Sequence, residues 1–214
     1  MTRLPRNSAR RSEDEGLGSF EPFSKGARPW EQHATELRQL AGVPDGGKLD
    51  PWQLAPKVGL LVLDGEQAFA HLSEEERAHL CGPAQGSWSG GVLPEPLPDG
   101  RRVCIINPRH NRQRNRITLM EEIVHRHRNH RPTKITLREN LFQVRDFDEK
   151  QEKEAYGVGA AALLPWSIFF RYLNQGTDVP HLAVLFDVSE DLIIYRIKIT
   201  GAYRLYLARQ RRTA

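Results

Sequence analysis

The sequence predicts an α+β domain. Three short apolar strand candidates cluster at residues 58–63, 87–93 and 102–107, and helical patterns stand before and after them. An Ala-rich stretch at 150–164 that stops at Pro165 supplies a long second helix behind the sheet. Residues 1–27 are polar, charged and rich in Gly, Ser and Pro, the composition of a disordered tail. Residues 30–40 place Trp30, Ala34, Leu37 and Leu40 at helical spacing, and Gly42 and Pro44 end that helix. Asp50 followed by Pro51 is an N-cap with proline at the first helical position, opening a short helix to about residue 56. Asp64 and Gly65 close the first strand.

Ser73 and Glu76 form a capping box for a short helix at 73–80 that ends at Gly82 and Pro83. The second and third strands are joined as a hairpin by the turn Leu97-Pro98-Asp99-Gly100. A helix follows over 117–129, with Thr118 as its cap and Glu121 three residues later. Residues 135–144 read as an extended segment, and 179–206 hold two helical segments.

Composition sets bounds on function. With 39% hydrophobic residues, 27% charged residues and no apolar run of membrane length, the chain reads as a soluble, cytoplasmic protein with no membrane association. The amino terminus has charge without an apolar stretch behind it, so it does not read as a secretory signal. Cys81 and Cys104 lack zinc-finger spacing and form no disulfide framework; Cys104 falls in a strand pattern and reads as core. The net charge of +4 is spread over Arg clusters at 112–116, 126–131 and 209–212, which read as solvated faces and tails rather than a nucleic-acid surface.

The chemistry concentrates at Glu121-Glu122-Ile123-Val124-His125. The metalloprotease helix motif H-E-x-x-H puts two histidine ligands one turn apart with a glutamate general base between them. Here Glu121 stands at the first ligand position, Glu122 at the base and His125 at the second ligand. Positions 121 and 125 leave one helix face, so they can grip one ion, while Glu122 is rotated about 100° toward a water on that ion. A glutamate ligand moves preference from zinc toward harder ions such as Mn²⁺. A catalytic site needs a third protein ligand. The second helix offers Glu152 and Glu154, and its Gly and Ala residues permit the close approach that would bring Glu154 beside His125. Those acids also suit a helix N-terminus with no metal at all. His127 and His130 do not share the ligand face and read as surface groups or supports. The same E-E-x-x-H pattern recurs at 75–79, but its flanks are charged and its helix is short, so it reads as a solvated helix.

Four pieces of the chain, in order, resemble the ImmA/IrrE metallo-endopeptidases, a group of bacterial and phage zincins. Ile105-Ile106-Asn107-Pro108 is similar to the family's strand ending in Asn-Pro. Residues 116–125 are similar to its R-x-T-x-A-H-E-x-x-H helix. Residues 154–165 follow its E-A-N-x-F-A-A-x-L-L-M-P without a gap. Phe186-Asp187-Val188-Ser189 with Tyr195-Arg196 is similar to its F-x-V-S tail. The chain departs from the pattern at Glu121, at Tyr156 in place of Asn, and at Val158 in place of Phe.

The resemblance implies a small zincin-like metallopeptidase domain over 28–170 and a helical, helix-turn-helix-like subdomain over 171–214. It raises Glu154 to third ligand beside Glu121 and His125, with Glu122 as the catalytic base. One divalent ion is implied, zinc, with manganese the alternative because of Glu121. The implied substrate is a helix-turn-helix transcriptional repressor, lying extended along a sheet edge at 88–92. The alternative reading is an inactive pseudo-protease that binds a regulatory partner without cleaving it. Direct DNA binding is disfavoured, because Asp187, Glu190 and Asp191 would face phosphates.

Overall fold

The computed structural model describes residues 21–44, 46–64, 69–70, 73–74, 77–78, 88–131, 134–138, 142–146 and 148–213. Residues 1–20, Glu76 of the expected capping box, the second histidine motif at 75–79 apart from Arg77 and Ala78, and Cys81 lie outside them.

The architecture is α+β. Helix α1 spans Arg28–Ala41 and ends at Gly42 in the left-handed region, φ 73°. Helix α2 is the short Pro51–Leu54, where the Asp50 carboxylate accepts from the Trp52 amide at 3.0 Å, as the Asp-Pro pair predicts. Strands β1 (Leu60–Leu63), β2 (Gly90–Pro96) and β3 (Arg102–Ile106) form a mixed sheet in the order β1-β3-β2. β1 runs parallel to β3, and β2 pairs antiparallel with it through the expected turn, with Gly100 at φ 83°.

Helix α3 spans Arg112–His127. The segment expected to be extended is a hairpin, β4 (Lys134–Arg138) and β5 (Phe142–Asp146), which forms its own sheet with β5 lying against β2. Helices α4 (Glu149–Leu163), α5 (Trp166–Asn174), α6 (Val179–Phe186), α7 (Glu190–Ile199) and α8 (Tyr203–Thr213) complete the chain. Of these, α5 was not expected, because Pro165 reads as a stop. Here it ends α4 and also opens the next helix, a place proline tolerates. The pair α6 and α7 is joined by a tight turn with Asp187 at φ 54° and Ser189 capping Leu192.

Residues 21–27 do not continue the expected tail. Phe23 meets Trp166 and Phe170 edge to face, Ala27 is fully buried, and the Ser24 amide donates to Thr200 O at 3.0 Å. Polarity of the surrounding residues hid one aromatic anchor.

Two central helices organise the core. α3 buries Leu119, Met120, Ile123 and Val124, while α4 buries every residue from Gly157 to Leu163. Small residues make that possible. A Cβ on Gly159 would stand 3.1 Å from Met120 Cβ, and one on Gly157 would overlap the Trp30 indole of α1. The end of α4 leaves carbonyls without helical partners, and two buried arginines take them. Arg38 Nη1 donates to Ala162 O at 3.0 Å, and Arg196 Nη2 donates to Leu164 O at 2.9 Å.

Glu31 ties this corner together. It accepts from Arg196 Nη2 at 2.5 Å and from the Trp166 amide at 3.0 Å, so one carboxylate joins α1, α5 and α7. The Arg196 side chain is 0% exposed, and Glu31 is its ionic partner. Replacing Glu31 with Ala should cost about 3–5 kcal/mol by stranding a buried guanidinium. The loss is read as a lower urea midpoint at unchanged slope. A change below about 1 kcal/mol would show that the pair does not hold these helices.

Candidate metal centre

The helix that carries the motif starts five residues earlier than its sequence suggests. Asn111, not Thr118, is the cap: its amide oxygen accepts from the Arg114 amide at 2.8 Å. Thr118 sits inside the helix, 6% exposed, with its methyl group against Gly90 of β2. The early start seats the motif about two turns into the helix, within the stretch from Asn115 to His125 that carries its buried residues.

Glu121 and His125 lie on one face of α3, as their spacing requires. The side chain of His125 is 6% exposed. Glu121 is half-buried, and burial first, then Glu122 and Glu152, pushes its carboxyl up to about 8. Three carboxylates thus share a neighbourhood in which no cation contributes to the Glu121 shift. Glu122 also bears on Cys104 of β3, whose thiol is raised well above its ordinary value by burial and then by that carboxylate. Cys104 is a core residue, as expected.

The two acids of α4 take different places. Glu152 Oε1 lies 3.7 Å from His125 Nε2. Glu154, the third ligand that the resemblance implies, is held instead by Arg128, whose Nε donates to Oε1 at 2.9 Å, and lies 3.6 Å from His130 Nε2 through its other oxygen. Residues 152 and 154 are about 200° apart around a helix, so both cannot face the same atom of His125.

His130 is the residue whose role the spacing could not give. Helix α3 closes with Asn129 in the left-handed region, φ 53°, and the His130 amide donates to His125 O at 3.0 Å. This turn, a Schellman closure, folds the chain back on the last helical turn. It brings the His130 and His125 rings together, with 2.9 Å between their Nδ1 atoms, one donating and the other accepting. Burial first and then the His125 ring hold His130 below its ordinary pKa. Arg128, Glu154, His130 and His125 therefore form a continuous chain that ends on His125 Nδ1 and leaves Nε2 toward Glu152. His127, by contrast, faces α1, 4.0 Å from Glu36.

The two departures on α4 are accommodated by packing. Val158 is fully buried. Tyr156 packs edge to face on Tyr195 of α7, and its hydroxyl is raised by burial and then by Glu121.

The donors suit a divalent ion in kind. Imidazole and carboxylate are borderline and hard ligands, and an ion would offset the charge that raises Glu121. His125 has the orienting partner on its second nitrogen that metal-binding histidines have. Among the described residues, no three His, Cys, Asp or Glu side chains converge as a complete ligand set.

With this geometry established, the comparisons are specific. The family model described as the IrrE N-terminal-like domain, of the M78 peptidases, matches residues 85–198, just over half of the chain. No curated protein matches it.

The raised Glu121 carboxyl gives a pH dependence of definite sign. Its folded pKa of about 8 lies above the ordinary value of 4.5, so the folded state holds more protons between the two. Stability of metal-free protein should then fall as pH rises from about 5 to about 8, by on the order of a few kcal/mol, and level off above. Glu121→Gln should flatten this slope in urea unfolding at each pH. A parent protein with no slope over that range would contradict the burial of this carboxyl.

Proposed function

The chain belongs to the M78 peptidases, the family of the IrrE N-terminal-like domain, whose function is metal-dependent and protease-like, and on that premise we propose that it is an endopeptidase that cleaves a helix-turn-helix transcriptional repressor in the cytoplasm. Among the described residues no helix is long and apolar enough to cross a membrane. The observation that carries the reading is the meeting of α3 and α4, where Glu121, Glu122, His125 and Glu152 share one neighbourhood.

Glu121, His125 and one acid of α4 would hold a divalent ion, zinc or, given two carboxylate ligands, manganese. Bound there, such an ion supplies Lewis-acid polarisation and a more acidic water. Glu122 takes a proton at its carboxylate and returns it to the leaving amine. Glu152, next to His125 Nε2, is the acid best placed as third ligand. Glu154 then acts one step back, fixing His130 and through it the His125 ring. β2 stands at the end of the sheet order with β5 lying against it, so an extended peptide that adds there as a strand would do so beside or in place of that hairpin.

Elemental analysis tests the ligands. The parent protein should carry about one equivalent of metal, and Glu121→Ala, His125→Ala and Glu152→Ala should lose it. Glu154→Ala should keep it with roughly 10–100-fold weaker affinity, as removal of a supporting partner does. Retention in Glu152→Ala with complete loss in Glu154→Ala would restore Glu154 as the ligand. Glu122→Gln should keep metal and lower cleavage about 10²–10⁴-fold; cleavage at the parent rate would remove Glu122 from the mechanism.

The second reading, an inactive domain that binds its partner without cutting, draws on the open arrangement of the donors and on Glu121 at the histidine position. Failure of the parent to take up zinc or manganese would select it.

A further inference from the structure

We propose that Tyr156 is the positioning residue of Glu121: its phenol hydroxyl donates across the α3–α4 contact to the ionised Glu121 carboxylate and orients it, as His130 orients the His125 ring. The inference rests on the reading of Glu121 as a metal ligand and adds a second supporting residue to that centre.

The register of the two helices places the pair. His125 Nε2 lies 3.7 Å from Glu152 Oε1. A Cβ on Gly159 would stand 3.1 Å from Met120 Cβ and 3.5 Å from Ile117 Cδ1. Rising residue numbers on α4 thus meet falling numbers on α3, so the helices run antiparallel. Glu121 is one turn before His125, and Tyr156 is one turn after Glu152. Each step is about 6 Å along its helix and about 40° around it. Tyr156 therefore stands across from Glu121, one turn along from the place where Glu152 meets His125. The departures from the family pattern at 121 and 156 face each other.

The Tyr156 ring is held from its far side. It packs edge to face on Tyr195 of α7, with 4.7 Å between the centroids and 80° between the planes. The side chain is half-buried. Burial, then Glu121 of α3, then Asp191 of α7 raise its hydroxyl. Burial and then Tyr156 push the Tyr195 hydroxyl up to about 12, against the opposing pull of Arg196. Both phenols keep their protons near neutral pH and can donate.

The donor and the acceptor are both uncommitted. Burial and charge alone displace the Glu121 carboxyl and the Tyr156 hydroxyl; no hydrogen bond contributes to either. A carboxylate that ligates an ion normally has a hydrogen bond of its own, which fixes its orientation. No cation bears on the Glu121 carboxyl. The phenol across the helix contact is the neutral donor on hand, and Asp191 is the acceptor that competes for it.

Tyr156→Phe tests the pairing, because it removes the hydroxyl and keeps the ring on Tyr195. Affinity of the full chain for Zn²⁺ and for Mn²⁺, read by competition with a chromophoric chelator, should fall about 10–100-fold in Tyr156→Phe and change less than about twofold in Tyr195→Phe and Asp191→Asn. A second arm uses metal-free protein. Urea unfolding at each pH locates the end of the fall in stability that Glu121 produces. An ionised carboxylate that loses a donor is less stable, so in Tyr156→Phe that end point should move up by about half a pH unit or more, with no such move in Tyr195→Phe. Thermal unfolding of each variant reports its fold. If the parent takes up neither ion, the ligand reading fails and the metal-free arm alone decides the pairing. An unchanged affinity where the parent binds metal, an unmoved end point in Tyr156→Phe, or an equal effect of Tyr195→Phe would overturn the proposal. An equal effect of Asp191→Asn would assign the hydroxyl to Asp191 instead.

Discussion

The site depends on how closely α4 can lie between α3 and α1. At Gly157 the Trp30 indole occupies the space of a missing side chain, and at Gly159 the backbone of α4 meets Met120. Ala160, Ala161 and Ala162 extend the same small surface. Tight packing gains many weak contacts and tolerates no added methyl group without displacement. Its cost in helix propensity is about 1 kcal/mol per glycine, which Ala-rich neighbours and complete burial offset. One turn and a half before Gly157, this approach sets Glu152 against His125. A chemical neighbourhood on two helices is therefore fixed by residues that have no chemistry of their own.

Charge is arranged around the same packing. Arg38 and Arg196 are buried to satisfy carbonyls at the C-terminal end of α4, where the helix dipole favours a cation. Glu31 answers Arg196 and the N-terminus of α5 at once. On α3 the opposite holds. Burial, then Glu122 and Glu152, raise the Glu121 carboxyl, with no cation among the causes of that shift. The protein thus pairs buried charge where a helix ends and gathers acids around Glu121 where two motif helices meet. That contrast separates a structural ion pair from a candidate site more sharply than burial alone.

Much of this was legible in the sequence, for identifiable reasons. The Asp50–Pro51 start, the hairpin turn at 97–100 and the strand at 102–106 are set by local rules that operate within a few residues. The facing of Glu121 and His125 follows from helical period alone. What local rules do not reach is set by geometry over longer distances. Thr118 resembles a cap, but Asn111 stands where the chain leaves the turn after β3 and takes the role. Glu152 and Glu154 are equivalent in composition, and only the azimuth of α4 against α3 distinguishes them. His130 is five residues from His125, a spacing that fails on a straight helix and succeeds because Asn129 reverses the chain. An Asn followed by His just past a helix end was the available signal.

The substitution at position 121 alters more than one bond. Two histidines and one glutamate around a divalent ion carry a net charge of about +1, whereas Glu121, His125 and one acid of α4, were they to hold such an ion, would bring it to about zero. An ion held there would supply weaker Lewis-acid polarisation than one in a two-histidine site, and Glu122, adjacent in the same helix, would be the group placed to take a proton. Such a donor set would also favour an ion that tolerates hard oxygen ligands and a looser shell. The arrangement around His125 is consistent with such a centre. The chain from Arg128 through Glu154 and His130 holds the single histidine in one orientation. With only one imidazole in the set, its orientation counts for more than where a second histidine shares the task.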